Sequence, residues 1–258
     1  MSPNGLTVDL TGKIVVITGA TGELGRVMTR TMARCGADVA IHFHKNEERA
    51  NELAAEVETM GRRAVIVRGD ITNEASVLEM RDKIVAGLGA PDIIVNNAVI
   101  QYDWTSVLNQ KMEDYEGQFR SCVLHNLFMA QAFVPGMIEK GWGRVIAIST
   151  ECAMQNTPSQ SAYVSGKRGM DGLLRVLARE IGGHEITVNQ VAPGWTISDK
   201  YREAGTERQE EYEKNVPMKR RGTDQEIANV VAFLASDLAS FITGAYIPVC
   251  GGDVMPAI

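Results

Sequence analysis

The chain has 258 residues, 45% of them hydrophobic and 22% charged, with a formal net charge of −6. That length suits one large α/β domain or two small ones, and the composition is that of a globule able to bury a full core. The negative balance excludes nothing small-molecular but gives no footing to nucleic acid or an anionic membrane surface. The longest apolar runs are strand-sized, so no membrane span is expected. "MSPNGLTVDLTGK" lacks the basic and apolar blocks of a signal peptide. Cys35, Cys122, Cys152 and Cys250 are scattered without a C-x-x-C pair. That suits reduced thiols in a cytoplasm and argues against a metal site.

In chain order, "KIVVITG" reads as a buried strand ending at Gly19. "ELGRVMTRTMARCG" follows with Leu24, Val27, Met28, Met32 and Cys35 at helical spacing and Gly36 as its stop. "ADVAIHF" is the second strand, and "NEERANELAAEVETMG" the second helix, capped by Asn46 and ended by Gly61. "AVIVRGD" and "DIIVNNA" are the third and fourth strands. A long helix is expected from Met112 to Glu139, then a fifth strand, "GRVIAIST". A helix from Ser159 to Ile181 precedes the sixth strand, "ITVNQVAPG". "TDQEIANVVAFLAS" opens with a capping box, Thr223 to Glu226, and "AYIPVCGG" supplies the last strand. Strands alternating with helices imply parallel strands and right-handed crossovers. Their unbroken apolar character implies helices on both faces. The expected architecture is a doubly wound, seven-stranded α/β sheet in one domain over 1–258. Such sheets bind ligands beyond the carboxyl ends of their strands, here Gly19, Phe43, Asp70, Asn96, Thr150 and Pro193.

Within "YVSGK", Tyr163 and Lys167 are four residues apart and share a helix face. An ammonium beside a phenol stabilises the phenolate and lowers its pKa, which makes the pair an acid/base unit. A lone Y-x-x-x-K is common by chance. Thr150, thirteen positions earlier at a strand end, adds a hydroxyl on the same edge, and "NNA" (96–98) and "APG" (192–194) converge there too.

Together these motifs resemble the short-chain dehydrogenase/reductase family in its compact, single-domain branch, near the 3-oxoacyl-carrier-protein reductases. The resemblance runs from "DLTGKIVVITGA" to "VCGG". It implies a Rossmann-type fold and a hydride transfer between nicotinamide and a ketone or secondary alcohol. Tyr163 would be the general acid/base, Lys167 would lower its pKa and hold the nicotinamide ribose, and Thr150 would polarise the carbonyl where serine is usual. Thr21, Gly22, Leu24 and Gly25 would cradle the pyrophosphate after Gly19. Asp70 and Ile71 would meet the adenine, with Asn96, Asn97 and Ala98 on the adenosine side. Pro193, Gly194 and Ile197 would flank the nicotinamide.

Three positions depart from the family pattern. The turn "TGATGELG" has glycines at 19, 22 and 25 instead of 19, 23 and 25. That matches the extended, nucleotide-sugar branch of the superfamily, where a bulky residue follows the second glycine. Glu23 stands at the positive end of a helix, where a carboxylate is locally favoured. Val99 replaces a usual glycine. Cys122 falls where the family places an asparagine that holds a proton-relaying water. A thiol holds water poorly; Asn126, one turn on, either holds it instead or bonds within the helices.

NAD specificity needs an acid after the second strand. Phe43, His44 and Lys45 stand there instead, so NADP(H) is expected ahead of NAD(H). Substrate contacts are expected at Ile100, Cys122, Cys152 and Trp195, under a lid with a charged helix at about 195–218, and Glu151 would disfavour an anionic group near the carbonyl. The resemblance also implies a homotetramer. The competing readings are a nucleotide-sugar epimerase or dehydratase, and a non-catalytic cofactor-binding protein.

Overall fold

The structure, a computed structural model, describes residues 6–256. It opens with β1 (Ile14–Ile17), α1 (Glu23–Arg34), β2 (Asp38–Phe43), α2 (Glu47–Thr59), β3 (Ala64–Arg68), α3 (Glu74–Gly87) and β4 (Ile93–Asn96). Then come α4 (Met112–Gln118), a π turn (Phe119–Leu124), α5 (His125–Lys140), β5 (Gly143–Ile148), α6 (Cys152–Gln155), α7 (Ser161–Ile181) and β6 (Ile186–Pro193). The chain continues through α8 (Asp199–Glu203), α9 (Glu210–Asn215), α10 (Asp224–Ala235) and β7 (Tyr246–Val249).

All seven strands form one parallel sheet in the order β3-β2-β1-β4-β5-β6-β7. The chain winds outward from β1 in one direction and from β4 in the other. The carboxyl ends of β1 and β4 therefore flank the crevice where such sheets take ligands. Both faces are buried, which explains the unbroken apolar strands. Val15, Ile17, Val39 and Ile41 pack with Met28, Met32, Ile227 and Val231 on one side. Val16, Ala40 and Ile94 pack with Ile84, Met129, Phe133 and Leu174 on the other.

Local rules set most of the helix ends. The Asn46 side chain accepts from Arg49 N at 2.9 Å. At α10 the capping box is complete: Thr223 accepts from Glu226 N, and the Glu226 carboxylate accepts from Thr223 N at 2.8 Å. Helix α3 has no counterpart among the predicted elements. Its buried Val77, Met80 and Ile84 alternate with apolar residues facing outward, such as the exposed Val85, so no clean stripe marks it. The expected long helix is broken into α4, the π turn and α5. Met112–Lys140 is long and apolar enough to cross a membrane by length and composition, contrary to the reading that apolar runs are only strand-sized. Its most apolar window is 61% buried inside the protein, as befits a core helix. Segment 195–218 holds two short helices, α8 and α9, not one charged helix.

Candidate active site

The turn after β1 is built by backbone constraint. Gly19 has φ +63°, and a Cβ there would lie 3.1 Å from the Ala98 Cα. A Cβ at Gly25 would lie 2.1 Å from the Gly19 carbonyl oxygen, so α1 can approach the turn only with glycine at 25. Gly22 is the N-cap of α1 and supplies no side chain to its first amides. Those amides and the helix dipole make an anion site. The turn is locked from behind. Asn97 Nδ2 donates to the Thr18 and Gly19 carbonyls at 3.0 and 3.1 Å. Thr18 Oγ1 accepts from the amides of Asn97 and Ala98.

His42 is part of this frame, and no sequence motif marks it. Its Nδ1 accepts the Gly19 N–H at 2.9 Å and its Nε2 donates to the Gly69 carbonyl at 3.1 Å. Burial pushes its pKa down to about 4, so the ring is neutral and ties the ends of β1, β2 and β3 together. The only sequence signal is a histidine at an inward register inside "VAIHF".

Glu23 does not stand free beside the turn. Its carboxylate accepts from Arg26 at 3.0 Å and from the Lys200 amide of α8 at 3.1 Å. Arg26 also pairs with Asp199 at 3.2 Å. The carboxylate is thus neutralised within α1 and joined to the segment after β6.

Phe43 corrects an expectation. It is 3% exposed, in the core beside Ile41 and Leu53, so its side chain reaches no ligand. His44 and Lys45 are exposed just beyond β2. Asp70 Oδ1 accepts from the Thr72 amide and hydroxyl. Partial burial raises that carboxyl, but the two Thr72 bonds outweigh it and the net shift is downward. Ile71 beside it is buried.

Thr150, Tyr163 and Lys167 meet at the carboxyl edge of β5. Thr150 Oγ1 accepts from the Cys152 amide at 3.2 Å, and the Tyr246 hydroxyl donates to the Thr150 carbonyl. Thr150 and the Cys152 thiol are among the groups near the Tyr163 hydroxyl. Burial pushes the Tyr163 phenol up, the Cys152 thiol adds to that, and the nearby Thr150 opposes it. Lys167 is buried, donates to the Ile148 carbonyl at 2.6 Å, and lies 5.8 Å from the Tyr163 ring centroid. It does not offset the burial, so the expected lowering of the phenol pKa by Lys167 is absent here. Two residues of the loop after β4 fix Tyr163. The Tyr102 hydroxyl accepts the Tyr163 N–H at 2.8 Å, and Trp104 stacks on the Tyr163 ring at 6.2 Å.

Cys122 is 1% exposed in the core, not on a pocket wall. Its thiol donates weakly to Gln118 Oε1 at 3.8 Å, and its carbonyl accepts from Asn126 Nδ2 at 2.7 Å. Asn126 Oδ1 in turn accepts from Asn96 Nδ2 at 2.7 Å. Asn126 thus bonds between helix and strand. Ile100 and Trp195 are partly exposed near the edge, and Cys152 is half-buried. Pro193 ends β6, and Gly194 donates to the Val249 carbonyl at 3.1 Å. Ile197 bonds through its backbone to Gly222 and Asp224.

Segment 195–218 is anchored by a residue that no motif announces. Arg221 is 1% exposed and donates to the carbonyls of Trp195, Thr196, Thr206 and Glu207. Its guanidinium lies 4.1 Å from the Tyr201 ring and 4.9 Å from Trp195. Glu151 points into the same region. It is 4% exposed, accepts from Tyr212 and from the Trp195 amide, and does not line an open carbonyl site.

Comparison with known proteins fits this geometry. A family profile described as Enoyl-(Acyl carrier protein) reductase matches residues 19–253. The chain belongs to the short-chain dehydrogenase/reductase family. It is 34% identical to the 3-oxoacyl-[acyl-carrier-protein] reductase FabG of Pseudomonas aeruginosa, over 96% of this chain and 100% of that protein. It is 32% identical to an L-rhamnose 1-dehydrogenase (NAD(P)(+)) of Sphingomonas sp., over 94% and 96% of the two chains. Among solved structures it resembles the reductase LugOII, which catalyses a keto-reduction in lugdunomycin biosynthesis, with a TM-score of 0.88 and 31% identity over 95% and 99% of the chains. It resembles 7α-hydroxysteroid dehydrogenase bound to NADH with a TM-score of 0.87 and 30% identity over 97% of each chain. The protein is an oxidoreductase acting on CH–OH/C=O groups with a nicotinamide cofactor. The uncapped α1 terminus and the glycine-lined turn fit the pyrophosphate of such a cofactor.

Proposed function

We propose that the protein is an NADP-dependent ketone reductase in which Tyr163 gives the proton. The observation that carries this is the meeting of the Thr150 and Tyr163 hydroxyls beside buried Lys167, at the sheet edge that also holds the Gly19 turn. When bound, the nicotinamide supplies the hydride. Thr150 holds the substrate oxygen by a hydrogen bond, and Tyr163 donates its proton to that oxygen as charge develops there. The high phenol pKa favours this direction, since Tyr163 stays protonated until the oxygen becomes basic. Lys167, held at the Ile148 carbonyl, offers its ammonium to the ribose.

NADP over NAD is supported by the residues at the end of β2. The Phe43 side chain is in the core, and exposed His44 and Lys45 come next, so no carboxylate immediately after the strand opposes a 2′-phosphate. A cytoplasmic location and a homotetramer complete the proposal. Sedimentation of the purified protein tests the assembly.

Thermal-shift titration with NADPH and NADH separately tests the cofactor reading, because a ligand of the folded state stabilises it by RT ln(1 + [L]/Kd). The expected result is a larger shift with NADPH, followed by turnover on a panel of ketones. An NADH preference overturns the cofactor assignment. Binding without turnover on any ketone or secondary alcohol overturns the reductase reading.

A further inference from the structure

Helix α8 begins without a cap of its own. Ser198, its N-cap residue, makes no side-chain bond to the first turn. The cap comes from the other end of the chain. Glu23 Oε2 accepts the Lys200 N–H at 3.1 Å, across 177 positions. Lys200 is the second residue of α8, where a cap oxygen ordinarily bonds. The same carboxylate accepts from Arg26 at 3.0 Å, and Arg26 pairs with Asp199 at 3.2 Å. Arg202 donates to Asp199 at 2.9 Å and forks onto both oxygens of buried Asp224 at 2.7 and 2.8 Å.

Charges therefore alternate through Glu23, Arg26, Asp199, Arg202 and Asp224, from the start of α1 across α8 to the start of α10. A single exposed ion pair contributes little, but a network with a forked Arg–carboxylate bond is the exception. Arg26 and Asp224 are also largely buried within it. The contact joins two parts of the site. Where the segment leaves β6, the Trp195 amide bonds to Glu151 beside Thr150. By Lys200 it has reached the first residue of α1, on the turn that fits the cofactor pyrophosphate. In the sheet β4 and β5 lie between β6 and β1, so the segment runs from the reacting groups to the cofactor turn. Glycine at position 23 could make none of these bonds.

We propose that Glu23 is a positioning residue. It clasps α8 to the start of α1 before any ligand arrives, and the clasp must open for a nicotinamide cofactor to leave. A carboxylate at an anion-binding turn is thereby directed away from the anion, its charge met by Arg26 and the Lys200 N–H. The clasp rests on contacts within the protein alone. Its effect on release rests on nicotinamide binding, and the choice of NADPH as probe rests on the proposed function.

Hydrogen exchange on the full chain without cofactor tests the clasp. Glu23→Ala is expected to speed exchange of the Lys200 amide and its neighbours in 199–203 about fivefold, as for the loss of one helix cap. Glu23→Gln keeps an oxygen for the Lys200 amide and is expected to restore most of that protection. Glu56→Gln removes an equally exposed partner of α1, bonded through Arg30, and leaves 199–203 unchanged. Stopped-flow release of NADPH then reads the consequence. Release is expected to be about fivefold faster from Glu23→Ala, as the same cap is lost, and near wild type from the two glutamine variants. A Glu23 that acted only by repelling the phosphates would give slower release once its charge is removed. That result, or exchange in 199–203 that ignores Glu23→Ala, overturns the clasp. Tighter binding of NADH than NADPH, with the exchange pattern intact and NADH release following the same order, upholds the clasp and overturns only the NADP assignment.

Discussion

Around Gly19 the cofactor turn is held by neutral groups: the Asn97 amide, the Thr18 hydroxyl and the uncharged His42 ring. Around Thr150 and segment 195–218 the structure is held by ionisable ones: Glu151 with Tyr212, and Arg221 beneath two aromatic rings. The two regions therefore respond to pH in opposite directions. His42 has its pKa lowered from 6.5 to about 4. The folded state resists its protonation, so stability present above pH 6.5 is lost as pH falls toward 4. Glu151 has its pKa raised from 4.5 to about 7. Its folded state resists ionisation, so stability present below pH 4.5 is lost as pH rises to 7. One region preserves a fixed cradle near neutrality, while the other changes there.

The largest effect on this contrast is expected from Gly25→Ala. A methyl 2.1 Å from the Gly19 carbonyl forces α1 off the turn, costing about 3 kcal/mol and abolishing the NADPH thermal shift. Denaturant unfolding and the titration check both effects. Next is Arg221→Met, which strips four carbonyls of their donor. It should cost about 2–3 kcal/mol, with exchange rising across 195–218 and not around Gly19. Then comes the crossed pH test. His42→Gln should lower stability by about 1–3 kcal/mol at pH 8 and make the acid side of the melting profile less steep, with buried His125 supplying the slope that remains. Glu151→Gln should flatten the loss between pH 4.5 and 7, which is about 3 kcal/mol at most, and leave the acid side unchanged. Smallest is Lys45→Ala, expected to raise the Kd for NADPH about fivefold, the loss of one exposed contact worth about 1 kcal/mol, and to leave NADH unaffected. An equal loss with both cofactors would remove Lys45 from phosphate recognition.

How far the sequence carries differs between the same two regions. The turn follows from glycine spacing, and the meeting of Thr150, Tyr163 and Lys167 from strand ends and a four-residue helical step, because both rest on local geometry. Phe43 departs from expectation because strand alternation sends it into the core just where a ligand contact is expected. His42, Arg221 and the Glu151–Tyr212 contact escape a sequence reading because each joins segments far apart in the chain, and no local period marks such partners. Helix α3 escapes for a different reason: apolar residues on its outer face blur its buried stripe. The split of the long helix at Phe119–Leu124 is likewise tertiary, set where Asn126 draws the Cys122 carbonyl into its bond with Asn96.

The central claim is that Tyr163 donates the proton in a ketone reduction on this edge of the sheet. The most direct test is to compare Tyr163→Phe with the wild type in two readings on the same sample, ketone turnover and NADPH affinity. The account predicts turnover lower by at least about 100-fold, as expected for loss of a general acid, with the NADPH Kd changed less than about threefold, a cost under 1 kcal/mol. Turnover that survives the loss of the hydroxyl would contradict it.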